Sequence, residues 1–243
     1  MGTLQIFNSL EMLTRGAAAR FAELSSQAAS NQNQFTAALS GGSTPLPLYQ
    51  LLGKDPFFEP LPWSSMHFFW GDERLVPPDH EDSNYRAAAE HLLESRPIPD
   101  ENIHRIPGEL APAEAASQYQ RELAAFFSAH PPRFDLILLG LGEDCHTASL
   151  FPNTPAVTDP QPGDWVAANY LPRRSSWRIT LTPRVINAAA EVIFLVSGKS
   201  KAAALKTVLQ EHPPAAECPA RLISPTSGNL RWYVDRQAAS QLR

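Results

Sequence analysis

The chain has 243 residues, of which 43% are hydrophobic and 19% are charged, and its formal net charge at pH 7 is -5. This composition is ordinary for a soluble globular protein and excludes a disordered chain, while the acidic balance argues against nucleic acid or an anionic membrane surface as the main partner. The length suffices for one sizeable core, so we expect a single domain over residues 1–243.

The cysteine content and the amino terminus indicate the compartment. Cys145 and Cys218 are far apart in the sequence and match no metal-binding spacing, which fits a reducing environment. The amino terminus lacks the basic segment and apolar core of a signal peptide, and no apolar run approaches the ~18 residues of a membrane helix. We therefore expect a cytoplasmic protein with no membrane partner.

Helices and strands are predicted to alternate along the chain. Helical spacing of apolar residues predicts a first helix over residues 9–30, and the apolar run 35–40 predicts a strand. Further strands are predicted at Met66–Trp70, 102–106, 134–139, 165–170 (at an edge), 178–182 and Glu191–Val196, and further helices at 46–52, 86–93, 113–129, after Pro183 and at 202–210. This alternation favours an α/β fold with a mostly parallel sheet and right-handed crossovers.

A glycine loop follows the first predicted strand. Gly41-Gly42-Ser43-Thr44 leads directly into a helix, so glycines, hydroxyls and free backbone N–H groups are available to a phosphate. The alternative is a tight turn in which Ser43 or Thr44 only caps the helix. Three cations, Arg74, Arg178 and Lys201, stand near strand ends, and although each alone is typical of a solvated surface, together with the loop they favour a shared anion site.

The apolar run 134–139 ends in glycine, carboxylate and histidine. Ligands bind outside the carboxyl ends of strands in open α/β sheets, so Glu143, Asp144 and His146 are expected within reach of a substrate. A histidine can take a proton from water while a carboxylate orients it, which makes His146 a candidate general base. A histidine that caps or packs at the start of a helix remains an alternative. Metal ligation by Asp72, Asp144 and His146 is another, although no dedicated ligand spacing is present.

Cys145 bears on two further interpretations. The segment 140–145 resembles a dinucleotide-binding fingerprint until Cys145 takes the place of the last glycine, which counts against a nucleotide. Cys145 as a nucleophile is disfavoured because adjacent residues seldom point at a common atom, so a small packed cysteine is the simpler interpretation.

Several of these segments together resemble the family of 6-phosphogluconolactonases and glucosamine-6-phosphate isomerases. The resemblance implies a Rossmann-like α/β fold and hydrolysis of 6-phospho-D-glucono-1,5-lactone to 6-phospho-D-gluconate in the pentose phosphate pathway, with no metal and no cofactor. The matching segments follow the family's order and are Leu39-Ser40-Gly41-Gly42-Ser43-Thr44-Pro45, Trp70-Gly71-Asp72-Glu73-Arg74, Ser83-Asn84-Tyr85, Gly140-Leu141-Gly142-Glu143-Asp144-Cys145-His146-Thr147-Ala148-Ser149-Leu150-Phe151-Pro152, Arg178-Ile179-Thr180-Leu181-Thr182 and Gly198-Lys199-Ser200-Lys201-Ala202.

The resemblance also implies roles for individual residues. His146 is the base that activates water, and Asp72 and Asp144 shape and polarise the site. The implied phosphate ligands are Gly42, Ser43, Thr44, Arg74, Lys201 and, as a further member, Arg178. The chain departs from the family at Cys145, where glycine is usual, and a side chain there costs ~1 kcal/mol or more if the residue adopts positive φ.

Two alternative functions differ from the lactonase at particular residues. Glucosamine-6-phosphate isomerisation with deamination calls for a carboxylate five residues after the histidine, where this chain has Phe151. A non-catalytic sugar-phosphate sensor would keep the phosphate ligands but would have no need of Asp72 and His146.

Overall fold

The computed structural model describes residues 2–31, 33–128 and 131–243. Ten strands lie within these residues: β1 (Thr3–Phe7), β2 (Phe35–Leu39), β3 (Met66–Trp70), β4 (Asp72–Arg74), β5 (Ile103–His104), β6 (Leu136–Leu139), β7 (Val166–Leu171), β8 (Ser176–Leu181), β9 (Glu191–Val196) and β10 (Asn229–Asp235). The helices are α1 (Leu10–Ser30), α2 (Leu46–Lys54), α3 (Asn84–His91), α4 (Pro112–Phe126), α5 (Pro155–Thr158), α6 (Pro183–Ile186) and α7 (Ala202–Lys206).

Seven strands form one parallel sheet in the order β1-β10-β9-β6-β2-β3-β5. Every residue of β2, β3, β6 and β9 is buried, as expected for continuous apolar runs covered on both faces. The predicted mostly parallel α/β sheet is therefore confirmed.

The predicted helices are present with small shifts at their ends. Ser9 caps α1 by accepting a hydrogen bond from the backbone N–H of Met12, and Leu13 and Phe21 bury the inner face of this helix. Ser83 caps α3, which begins and ends two residues earlier than predicted. The predicted end of the next helix at Ala129 lies outside the described residues, and α4 itself runs over Pro112–Phe126.

Two features of the sheets were not predicted. The strands β1 and β10 pair with each other at one edge of the large sheet, and β4, β8 and β7 form a separate antiparallel sheet. Strand β1 is almost entirely exposed and β10 opens with polar residues, so neither has the continuous apolar run of a central strand. The expected edge position of the strand at 165–170 is confirmed, since β7 lies at an edge of the small sheet.

No helix among residues 2–31, 33–128 and 131–243 is long and apolar enough to cross a membrane.

A buried ion group ties α1 to β9 and β10. The carboxylate of Glu191 accepts hydrogen bonds from Arg20 Nε at 2.7 Å, from Arg20 Nη2 at 2.5 Å and from Arg231 Nε at 2.8 Å. Burial alone would raise the pKa of Glu191, but the bonds and charge of Arg20, aided by Arg231, outweigh it and lower this pKa. Glu191 is thus ionised in the folded protein at neutral pH.

Replacing Glu191 by glutamine keeps the shape but removes the charge, so we expect the free energy of unfolding to fall by about 2 kcal/mol in urea titrations at pH 7, within the range for hydrogen bonds to a charged group. The contribution is fully present above the ordinary pKa of a glutamate and is lost as the pH falls through the lowered pKa of the folded state, so the difference from wild type should shrink in acid. The control is Glu11→Gln, because Glu11 is exposed and pairs with Arg15. This substitution should change the free energy of unfolding by less than about 0.5 kcal/mol. Equal effects of the two substitutions would contradict the prediction.

Candidate active site

A cleft of about 210 Å³ lies where loops from the carboxyl ends of β2, β3, β6 and β9 meet the small sheet. The predicted site residues that line it are Gly42, Ser43, Thr44, Asp72, Arg74, His146, Arg178 and Lys201. Glu143 and Asp144 do not line this cleft, and Asp144 contacts His146 instead. Lys201 rather than Lys199 faces the cleft.

The imidazole of His146 is bound by Asp144. Asp144 Oδ1 accepts a hydrogen bond from Nδ1 of the ring and another from the backbone N–H of His146, the latter at 3.2 Å. Partial burial raises the pKa of Asp144, but the bonds and charge of His146 outweigh burial and bring this pKa down to about 2. The ionised carboxylate holds the proton of a neutral imidazole on Nδ1 and leaves the lone pair on Nε2. Within the residues that the structure describes, Nε2 makes no hydrogen bond.

The loop that carries His146 turns back on itself. The backbone N–H of Gly142 donates to the carbonyl of His146 at 2.8 Å, and the N–H of Cys145 donates to the carbonyl of Gly142 at 3.1 Å. A Cβ atom at Gly142 would lie 2.0 Å from His146 Nδ1, so only glycine leaves room for the ring. The described residues on both sides of His146 belong to this loop, and no helix begins there. The alternative of a histidine at a helix start is therefore wrong.

Cys145 adopts the conformation in which a side chain is costly. Its φ is 65°, in the left-handed region, so the expected strain of ~1 kcal/mol applies. The side chain is buried, and its Sγ atom lies 3.7 Å from the carbonyl oxygen of Ala204 and contacts Cys218. Cys145 does not line the cleft, which agrees with its interpretation as a small packed residue.

Asp72 lies at the start of β4 and is 9% exposed. Its Oδ2 atom accepts a hydrogen bond of 2.6 Å from the hydroxyl of Ser149, and its backbone carbonyl accepts one of 2.8 Å from the side-chain amide of Asn84. Ser149 is itself held, because its carbonyl accepts from Asn169 Nδ2 at 2.9 Å. The carboxylate of Asp72 is therefore fixed in orientation at the cleft wall.

Glu73 is a structural carboxylate that the sequence analysis did not identify. It is 2% exposed and accepts hydrogen bonds of 2.8 Å from the backbone N–H groups of Arg74, Asn84 and Tyr85, and one of 3.1 Å from the Ser83 hydroxyl. Burial raises the pKa of Glu73, and the three backbone bonds oppose that rise. Glu73 joins the segments 70–74 and 83–85, both of which carried the family resemblance. The bonded residues are about ten positions apart in the chain, and no local sequence pattern predicts their contact.

Of the cations that line the cleft, Arg74 and Arg178 are bound by neutral groups rather than by carboxylates of the described residues. Arg74 donates from Nη1 to Asn84 Oδ1 at 2.6 Å and to the carbonyl of Asp82 at 2.8 Å, and Arg178 donates to the carbonyl of Trp177 at 2.9 Å. In the described part of the chain, no carboxylate forms a salt bridge with Arg74, Arg178 or Lys201. Burial, and then the charge of Arg74, lower the pKa of Arg178. An anion bound between them would supply the missing negative charge.

Glycine has a specific role in the loop beside these cations. Gly42 has a φ of 98°, which a residue with a side chain rarely adopts. Gly41 has no room for a side chain, because a Cβ atom there would lie 1.6 Å from Asn84 Oδ1. The backbone of the loop consequently lies open along the cleft, as a phosphate requires.

The lining residues to which the sequence analysis assigned no role include Ser40, Asn84, Ser149 and Arg174. Asn84 stands inside a segment that carried the family resemblance, so a signal for it was available. Arg174 lies between two strands that were predicted, in the turn that joins β7 to β8, and its position beside the cleft depends on how the small sheet packs.

Comparison with known proteins gives consistent results. A family model described as glucosamine-6-phosphate isomerases/6-phosphogluconolactonase matches residues 8–232. The 6-phosphogluconolactonase of a Synechocystis strain is 46% identical over 89% of this chain and 88% of that protein, and that of a Nostoc strain is 43% identical over 87% and 86%.

Solved structures agree with these relatives. The devB protein has a TM-score of 0.89 with 34% identity over the whole of both chains, and 6-phosphogluconolactonase from Trypanosoma brucei has a TM-score of 0.88 with 29% identity over 100% of this chain and 99% of that one. A monomeric glucosamine-6-phosphate deaminase, with a TM-score of 0.82 over 98% and 99% of the two chains, shares the fold at 19% identity.

Substituting Gly142 by alanine should displace the His146 ring from Asp144, because the new methyl group would overlap Nδ1. We expect a loss of ~1–3 kcal/mol in stability and a change in the ¹⁵N signals of the His146 ring in long-range ¹H–¹⁵N spectra. Gly140→Ala is the control, since a Cβ atom there meets nothing within 4 Å. Unchanged imidazole signals in Gly142→Ala would rule out this reason for the glycine.

Proposed function

Because this chain belongs to the family of glucosamine-6-phosphate isomerases and 6-phosphogluconolactonases, we propose that it hydrolyses 6-phospho-D-glucono-1,5-lactone to 6-phospho-D-gluconate in the oxidative pentose phosphate pathway. The observation that carries the proposal is the imidazole of His146, oriented by Asp144 and facing a cleft lined by Arg74, Arg178 and Lys201, none of which forms a salt bridge with a described carboxylate. Such a cleft suits a substrate that has a phosphate at one end and a carbonyl carbon at the other.

His146 acts as the general base. Its Nε2 lone pair takes a proton from water, and the hydroxide that forms attacks the lactone carbonyl to give a tetrahedral intermediate. Asp144 carries the negative charge that stabilises the imidazolium formed in this step. A cation or a backbone N–H steadies the oxyanion.

The intermediate then collapses. Its carbonyl reforms as the bond to the ring oxygen breaks, and the ring oxygen takes the proton back from the imidazolium to become a free hydroxyl. The new carboxylic acid releases its proton to water, so the net reaction converts lactone and water into a carboxylate and a proton. No cofactor takes part.

The remote phosphate orients the ring for this attack. We assign it to Gly42, Ser43 and Thr44 of the glycine loop together with Arg74, Arg178 and Lys201. Binding energy from the phosphate lowers the barrier by holding the carbonyl near the activated water. Asp72, which Ser149 keeps in place, shapes the wall of the cleft beside the sugar.

We also propose that residues 1–243 work as one lactonase domain in the cytoplasm. A single cluster of buried hydrophobic residues extends from Leu13 to Ala238, which supports one domain. The two cysteines are free, which suits a reducing compartment.

Glucosamine-6-phosphate deamination is less well supported. Where that chemistry calls for a carboxylate, the ring of Phe151 stacks on the His146 imidazole with 4.0 Å between ring centroids. An apolar ring at this place can neither accept nor donate a proton.

His146→Ala should lower kcat for freshly prepared 6-phosphogluconolactone by ~10²-fold or more, after correction for spontaneous hydrolysis, because the base is lost. The matched control is His91→Ala, which lies at the end of α3 away from the cleft and should retain full activity. Near-wild-type turnover by His146→Ala would eliminate the proposed base. Release of ammonia from glucosamine 6-phosphate would show that the protein is a deaminase instead. Binding of the lactone without turnover would show that it is a sensor.

Lys201→Met should raise KM for the lactone by ~10-fold or more, since a hydrogen bond to a charged group contributes about 1.5–3 kcal/mol. Lys199→Met serves as the control, because Lys199 is exposed and does not line the cleft. An equal rise in KM for both lysines would contradict the assignment and indicate a general effect of surface charge.

A further inference from the structure

Asp144 fixes which nitrogen of His146 carries the proton, but one hydrogen bond does not fix the plane of the ring. The ring of Phe151 stacks on the imidazole with an angle of 18° between the two rings, so whatever holds the Phe151 ring also constrains the plane of the imidazole. Proton transfer from water depends on the direction of the Nε2 lone pair, which lies in this plane. The position of the Phe151 ring therefore bears directly on the base.

Phe151 is itself poorly enclosed. It is only partly buried, and it lines both the cleft and a neighbouring cavity of about 490 Å³ that also contains Asp144 and Arg173. The Phe151 ring thus borders open space on two sides, where a further contact on the ring would help to hold it against His146.

Arg174 supplies that contact. Its guanidinium carbon lies 5.4 Å from the centroid of the Phe151 ring, within the range of a cation–π interaction. Arg174 lies in an exposed turn. Among the described residues, its guanidinium makes no hydrogen bond and no salt bridge. Ser175, which follows, adopts a left-handed conformation with a φ of 45°, so the turn has a defined shape at this point.

We propose that Arg174 is a positioning residue, which holds the Phe151 ring against His146 and so fixes the plane of the imidazole for proton transfer. The inference rests on the proposed lactonase function for its kinetic consequence, whereas the contact itself is independent of that function. Because Arg174 acts through Phe151, its loss should lower kcat and leave substrate affinity unchanged.

The experiment is a double-mutant cycle of Arg174→Met and Phe151→Leu, which remove the cation and the ring but keep apolar bulk. Each single variant is expected to lower kcat by ~5-fold, with KM and the affinity for 6-phosphogluconate in calorimetry within ~2-fold of wild type. Arg174→Met should add nothing in the Phe151→Leu background, and Arg174→Lys should regain part of the lost rate. Arg173→Met is the control and should behave as wild type, because Arg173 does not line the cleft.

Three results would overturn the proposal. If Arg174→Met weakens binding of 6-phosphogluconate, or still lowers kcat when the Phe151 ring is absent, Arg174 contacts the ligand directly. The ring-current shifts of the His146 protons in NMR test the stack without any turnover, and they should diminish in both single variants. Unchanged ring-current shifts in Arg174→Met would also contradict the proposal. Absence of lactonase activity in the wild-type protein would refute only the proposed function.

Discussion

The carboxylate of Glu73 fixes the connection between β4 and the start of α3. It lies where water does not reach, and its two oxygens satisfy three backbone N–H groups and the Ser83 hydroxyl. Asp72 and Arg74 stand on either side of it in the chain, and Asn84 contacts both. The polar wall of the cleft and its first cation therefore share one buried anchor, and they are positioned before any ligand binds.

Residues 145–153 concentrate backbone strain beside that wall. Cys145, Ala148 and Asn153 all have positive φ without being glycine. Hydrogen bonds from outside the loop hold this conformation: Ala220 donates its N–H to the carbonyl of Cys145 at 3.1 Å, and Asn153 donates its N–H to the carbonyl of Ala216 at 2.9 Å. Strained backbone persists only where its surroundings over-determine it, so the segment around Ala216 and Ala220 belongs to the support of the site.

The burial of a strand decides whether it can be predicted from the sequence. The central strands β2, β3, β6 and β9 are covered on both faces, so their apolar runs reveal them, and their carboxyl ends share one sheet edge. That geometry is why His146 and the glycine loop were placed together correctly. Strand β1 was missed because its side chains are exposed, and the contact of Arg174 with Phe151 was missed because it arises when a hairpin packs across the loop. Tertiary contacts of this kind leave no periodic pattern.

The pairing of β1 with β10 determines when the large sheet can be completed during synthesis. A ribosome produces β1 before every other described strand, yet its neighbour in the sheet, β10, follows all of them. The edge of the sheet therefore stays open during translation until the last strand emerges. Strands β2, β3, β6 and β9 and the residues that line the cleft, the last of which is Lys201, are synthesised before the strand that joins β1 to the rest of the sheet.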